Sequence, residues 1–350
     1  MRRFTVSCSR MPASAVVVRV LVLCAVVLLA ACARPTERPV GPGGGSPALE
    51  ADRIIAADGY VLPLHHWPAA EEPRGVVLAI HGFTDYGGAF SVLADELNAN
   101  AFSLYAYDQR GFGATSPSGI WPGQELLVED AIVVARLLRE RYPGRPVFML
   151  GKSMGGAVTM LALTRDDAPP VAGSILIAPA VWGEEVMPWY QRMGLRLGEA
   201  VTPGMRLSVE LAEAIGVRPT DDEDVLQAMR DNPRVQQEVR VDAIDGLSDL
   251  MDAALEASAD LPGPTLILYG DQDEIIPADP VCLMVRQLPD AAWRPWRMAL
   301  YPGGYHMLTR YSGAEQVHAD ILTWLQDIDA ELPSGHEVER QQALAQLCNA

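Results

Sequence analysis

Pro146-Val147-Phe148-Met149-Leu150-Gly151-Lys152-Ser153-Met154-Gly155-Gly156 is the stretch that decides the fold. Its first five residues are a continuous apolar run and predict a buried strand, while Ala157 to Leu163 predicts a helix. A serine between glycines at such a strand-to-helix turn has the form of a nucleophile elbow, where the strained turn tolerates only small flanking side chains. The helix N-terminus beside it favours developing negative charge. The short pattern alone is a weak signal, and its partners strengthen it.

The partners follow in the chain order Ser, acid, His. Pro264 to Tyr269 predicts a second buried strand, followed by Gly270-Asp271-Gln272-Asp273-Glu274, which offers three carboxylates at a strand's C-terminal end. Trp296 to Tyr301 predicts another strand and leads into Pro302-Gly303-Gly304-Tyr305-His306. A histidine on that glycine-rich loop can take the Ser153 proton, and an acid can fix its tautomer. Gly75 to Ile80 predicts a strand ending in His81-Gly82-Phe83-Thr84. There the amide of Phe83 can pair with that of Met154 as an oxyanion hole. A phosphate-loop reading of Gly151-Lys152-Ser153 fails because Pro146 stands where that loop needs glycine. A calcium loop at Asp271 fails because Ile276 occupies the position of the turn glycine.

These blocks, with Tyr107-Asp108-Gln109-Arg110-Gly111-Phe112-Gly113, resemble the α/β-hydrolase superfamily over roughly residues 52 to 330, and within it the monoacylglycerol lipase and lysophospholipase group. The resemblance implies a triad of Ser153, Asp273 and His306, with Asp271 left to hold its turn. It also implies a serine ester hydrolase that acts on a lipid-like acyl ester through an acyl-enzyme and needs no metal or organic cofactor. The chain departs from the family at Lys152, where His or Glu is usual, and at Gly111-Phe112-Gly113, which usually contains His. Lys152 is the only lysine in the chain and predicts a salt bridge beside the site. Asp108 and Arg110 predict a structural pair or turn, and His81 a loop-shaping hydrogen bond. His65 and His66 fall in an early strand, His318 on the polar side of the last helix, and His336 in the tail.

The expected fold is an α/β-hydrolase with a mostly parallel sheet of about eight strands, helices on both faces and an inserted helical cap. Strands are predicted at Val61 to Trp67, Gly75 to Ile80, Phe102 to Tyr107, Pro146 to Leu150, Gly173 to Ala178, Pro264 to Tyr269 and Trp296 to Tyr301, because buried parallel strands read as unbroken apolar runs. Leu127, Ala131, Val134 and Leu138 recur at helical spacing, as do Val317, Ile321, Leu325 and Ile328. The hydrolase domain is placed at 49–333, with the cap at about 180–262 and a tail at 334–350. The cap interval shows helical pattern and no strand signal. Trp182, Trp189, Tyr190 and Met193 share one face there, either packing on the core or lining an acyl pocket.

Residues 1–31 read as a targeting segment, with Arg2, Arg3, Arg10 and Arg19 before an apolar run from Val20 to Ala31 that is too short to span a bilayer. Leu29-Ala30-Ala31-Cys32 resembles a bacterial lipobox, which implies cleavage before Cys32 and its acylation. Residues 32–48 are then a Pro/Gly-rich tether that cannot pack, with a coil reach of roughly 20–25 Å. Ala33 after the cysteine favours the outer membrane or a periplasm-facing envelope site by the same resemblance. A net charge of −18 argues against a nucleic-acid partner. Cys282 and Cys348 are left free or bridged to each other. Two other readings stay open: an aminopeptidase using Glu184 and Glu185 in the cap, and a non-catalytic envelope lipoprotein.

Overall fold

The apolar runs fold as a sheet that separates two layers of helices. The computed structural model describes residues 38–182, 193–194, 196–198, 201–209, 217–292 and 295–348. Among them, strands β1 to β12 are Ala48–Leu49, Arg53–Ile55, Val61–Trp67, Gly75–Ile80, Phe102–Tyr107, Val147–Lys152, Gly173–Ile177, Arg206–Ser208, Glu238–Arg240, Thr265–Gly270, Trp296–Tyr301 and Glu337–Val338. The α-helices are α1 (Ser91–Ala99), α2 (Gln124–Arg141), α3 (Met154–Thr164), α4 (Glu223–Asp231), α5 (Val241–Ala257), α6 (Ala278–Gln287), α7 (Ala314–Gln326) and α8 (Arg340–Leu347). The main sheet runs β1-β2-β3-β5-β4-β6-β7-β10-β11-β12. From β5 to β11 every pairing is parallel, and the pairs toward both edges are antiparallel.

Strand periodicity sets the core. Val76, Leu78 and Ile80 of β4 point to the face covered by α2, α3, α5, α6 and α8, whereas Val77 and Ala79 point to the face covered by α1 and α7. All five are fully buried, and burying each larger side chain contributes about 1.5–3 kcal/mol. Parallel strands joined by crossover helices bring the loops after β4, β6, β10 and β11 to one sheet edge.

Three expectations are corrected and one open alternative is resolved. The sheet has ten strands rather than about eight, because short edge strands carry too little apolar period to be read. The cap interval contains a two-stranded ribbon, β8–β9, and α5 is a core helix whose Leu250, Met251, Ala254 and Leu255 are buried. The tail packs: β12 joins β11, and a Cys282–Cys348 disulfide ties the end of α8 to α6. Part of the tether packs too, with the Gly41 amide donating to Asp58 and Arg110 donating to the Pro39 carbonyl. The segment 1–37, including Cys32, and the cap residues Glu184, Glu185, Trp189 and Tyr190 lie outside the described residues.

Candidate active site

Ser153 follows the last residue of β6 and caps α3 with φ 53° and ψ −121°. A non-glycine residue there stores about 1–3 kcal/mol of strain, held by the surrounding bonds. Its amide donates to the Ile177 carbonyl at 2.9 Å, and its carbonyl accepts from Gly156 at 2.8 Å and Ala180 at 3.0 Å. The glycine two residues on is required sterically, since a Cβ at Gly155 would lie 2.0 Å from the Ile80 carbonyl oxygen. The elbow is thus wedged against the β4 loop that carries Phe83. Met154 begins α3, where the first-turn amides have no partner within the helix.

Asp273 and His306 come from the loops after β10 and β11. His306 Nδ1 and Asp273 Oδ2 are 2.8 Å apart, while Asp273 Oδ1 accepts the amides of Ile275 and Ile276, each at 2.9 Å. With Nδ1–H directed at the carboxylate, Nε2 carries the basic lone pair. Asp271 instead accepts the Gly303 amide at 2.7 Å, locking the acid loop to the histidine loop. Ser153, Asp273 and His306 are all buried. Among the described residues Ser153 makes no hydrogen bond to His306; such bonds often tighten only when substrate is present.

His81 shapes its loop as expected: Nδ1 bonds the Gly82 carbonyl at 2.8 Å and Nε2 accepts from the Gln109 amide at 3.0 Å. Complete burial pushes its pKa down, which suits this neutral tautomer. Lys152 forms the expected salt bridge, with Nζ 3.4 Å from Asp85. Asp108 and Arg110 do not pair. Asp108 instead holds His65 and the amides of Gly87 and Ala114, all at 2.8 Å, whereas Arg110 forks onto Asp58 and Asp130. His318 is buried rather than on a polar face, because its ring nitrogens meet the Thr309 carbonyl and Glu96.

Sequence reasoning missed an aromatic wall beside the oxyanion loop. The Phe83 ring packs edge-on to Phe112 at 5.5 Å and lies 6.4 Å from Trp121, which touches Gly246 of α5. Three aromatic residues spread over two separate loops share no period that a sequence could show. Trp182 is half-buried against the same core cluster, and Met193 is exposed. Asp85 and Arg310 were also missed, although a lone lysine beside the nucleophile signals the need for a buried counterion.

A family model described as serine aminopeptidase, S33 (Hydrolase_4), matches residues 71–311. The chain is similar to the monoacylglycerol lipase of Mycolicibacterium smegmatis, with 26% identity over 74% of this chain and 90% of that one. It is also similar to the monoglyceride lipase of Rattus norvegicus, with 25% identity over 80% and 91% of the two chains. Among solved structures, a soluble variant of Saccharomyces cerevisiae monoglyceride lipase in complex with a substrate analogue superposes with a TM-score of 0.66 at 24% identity, covering 85% of this chain and 100% of that one. This last likeness is one of fold.

Proposed function

We propose that this chain, which belongs to the serine aminopeptidase S33 family of α/β-hydrolases, is a serine ester hydrolase that cleaves monoacylglycerols. The observation that carries the reading is the Asp273–His306 bond on the rim where the Ser153 elbow also ends. Ser153 Oγ attacks the ester carbonyl as His306 Nε2 takes its proton. The amides of Phe83 and Met154 receive the negative charge of the tetrahedral oxygen. His306 then gives the proton to the departing glycerol oxygen, leaving an acyl-enzyme. A water deprotonated by the same nitrogen attacks that ester, and the fatty acid leaves as Ser153 regains its proton. The Phe83–Phe112–Trp121 wall supports an apolar acyl chain beside the oxyanion loop.

The monoacylglycerol substrate is supported by the names of the M. smegmatis and rat relatives, each matched over about nine-tenths of its own length. The family description favours a peptidase as the second reading. The discriminating experiment is a panel of p-nitrophenyl esters from acetate to palmitate, 1-monooleoylglycerol, a lysophospholipid and an aminoacyl arylamide. The expected result is hydrolysis of medium or long esters and of monooleoylglycerol. Cleavage of the arylamide alone would establish the peptidase instead. Residues 1–31 are proposed as a lipoprotein signal, with Cys32 acylated and the enzyme held at the bacterial envelope. Metabolic labelling with an alkyne fatty acid should tag the wild type and not Cys32→Ala.

A further inference from the structure

Three charged side chains that the chemical steps do not use meet beside the nucleophile. Asp85 lies on the loop after β4, two residues beyond Phe83; Lys152 is the last residue of β6; Arg310 lies four residues beyond His306. One carboxylate oxygen, Asp85 Oδ2, receives Lys152 Nζ at 3.4 Å and also Arg310 Nη2. The other, Oδ1, accepts the Tyr86 amide at 3.1 Å. Side-chain exposure is 4% for Asp85, 6% for Lys152 and 13% for Arg310, so water does little to screen the cluster. The cap reaches it as well, since Thr220 Oγ1 donates to the Arg310 carbonyl at 2.7 Å. A single buried carboxylate therefore links the loops that bear the oxyanion amide, the nucleophile and the base.

We propose that Asp85 is a positioning residue for this hydrolysis: by clasping Lys152 and Arg310 it fixes the spacing between the Phe83 amide, Ser153 and His306. The inference rests on the ester-hydrolase reading above. Its physical basis is the sensitivity of attack geometry, since a misplacement of about 1 Å lowers rate by ~10²-fold. The cluster holds two cations and one carboxylate, so net charge and clasp geometry can be separated by substitution. Asp85→Asn removes the shared acceptor. The double variant Asp85→Asn/Lys152→Met also removes it but restores the wild-type net charge of the cluster.

A pH signature follows from Lys152. Burial pushes its pKa down to about 8, and neighbouring Arg310 adds to the shift against the pull of Asp85 and then Asp273. The groups facing the clasp are thus Asp85 and Arg310 from their loops, Asp273 from the acid loop and His81 beside Asp85. The ammonium arm is present below that pH and lost above it. Lys152→Arg keeps its charge throughout, because guanidinium does not deprotonate in this range.

The test measures kcat and KM for p-nitrophenyl butyrate, and the rate of fluorophosphonate labelling of Ser153 from pH 6 to pH 10. Thermal unfolding midpoints are recorded alongside. Asp85→Asn should lower kcat by ~10²-fold with KM within about 3-fold, and the double variant should stay at least ~30-fold down. The wild-type labelling rate should decline above about pH 8, and Lys152→Arg should abolish that decline. Recovery of wild-type kcat in the double variant, or an unchanged alkaline decline in Lys152→Arg, would overturn the clasp. If Asp85→Asn fails to fold, the Lys152→Arg profile decides alone. A wild type that hydrolyses esters beside an equally active Asp85→Asn removes the clasp and leaves the ester-hydrolase reading intact. A wild type that neither hydrolyses ester nor takes the label removes that reading, and the clasp with it.

Discussion

Arg110 and Asp85 stand at the centres of two buried charge clusters of inverted composition. Arg110 is one cation between two carboxylates, forking onto Asp130 at 2.6 and 2.8 Å and onto Asp58 at 2.6 and 2.7 Å, with its guanidinium 4.6 Å above the Tyr60 ring. It joins the segment before β1, the turn before β3 and helix α2, none of which carries chemistry. Asp85 is one carboxylate between two cations, with a longer lysine contact and an Arg310 Nε that is buried without a partner. The saturated fork holds elements together; the unbalanced cluster sits beside the proposed nucleophile and base. Ion pairs that serve the fold and ion pairs that serve a site are told apart by what they connect more than by how buried they are.

Lesions in the two clusters should have opposite effects. Arg110→Met strands two carboxylates and should destabilise the fold by ~3–5 kcal/mol, while kcat of the surviving folded enzyme stays within about twofold. Asp85→Asn should show the reverse emphasis, losing turnover out of proportion to its unfolding midpoint. A large kcat loss in Arg110→Met, measured well below its melting temperature, would erase the distinction.

A remote staple supplies a control. Replacing both Cys282 and Cys348 with serine opens a link between positions 66 residues apart and should lower stability by ~2–4 kcal/mol without changing kcat. Denaturant titration of the double variant measures the first, and ester hydrolysis the second.

Acid sharpens the Arg110 side. Burial alone would raise the Asp58 carboxyl, but hydrogen bonds from Arg110, Gly41 and Tyr60 hold it well below the usual carboxylate range. A depressed carboxyl stabilises the fold above its unfolded pKa of about 4, and that contribution is lost as pH falls toward the folded value. Melting midpoints should therefore drop more steeply between pH 4 and pH 2 in wild type than in Asp58→Asn. The smallest effect is expected at the aromatic wall. Phe83→Ala keeps its backbone amide, so it should shift ester chain-length preference by up to ~10-fold while leaving acetate hydrolysis nearly unchanged.

Much of this architecture is legible in the sequence where burial writes a period. β4, β6 and β10 read as unbroken apolar runs because both of their faces are covered, and α2 and α7 read from one buried stripe each. The elbow is legible because close approach demands glycine at fixed offsets from Ser153. The edge strands β1 and β12 are not, since two residues cannot show alternation. The docked termini are also silent, because side-chain donors to backbone carbonyls hold them. Arg110 binds the Pro39 carbonyl, and Arg340 binds those of Val285, Leu288 and Pro289. The Asp85–Arg310 contact spans 225 positions and has no local signature. Two short acids and one histidine loop suffice to suggest the triad, but only the fold joins His306 to Asp273.

Everything proposed for this site depends on Ser153 being the nucleophile of an ester hydrolase. Peptide mapping by mass spectrometry after fluorophosphonate treatment tests it directly, in parallel with monooleoylglycerol hydrolysis. The expected result is one phosphonyl adduct, on the peptide containing Ser153, with both adduct and hydrolysis lost in Ser153→Ala. Undiminished monooleoylglycerol hydrolysis by Ser153→Ala, or an adduct on a different residue of an active enzyme, would contradict it.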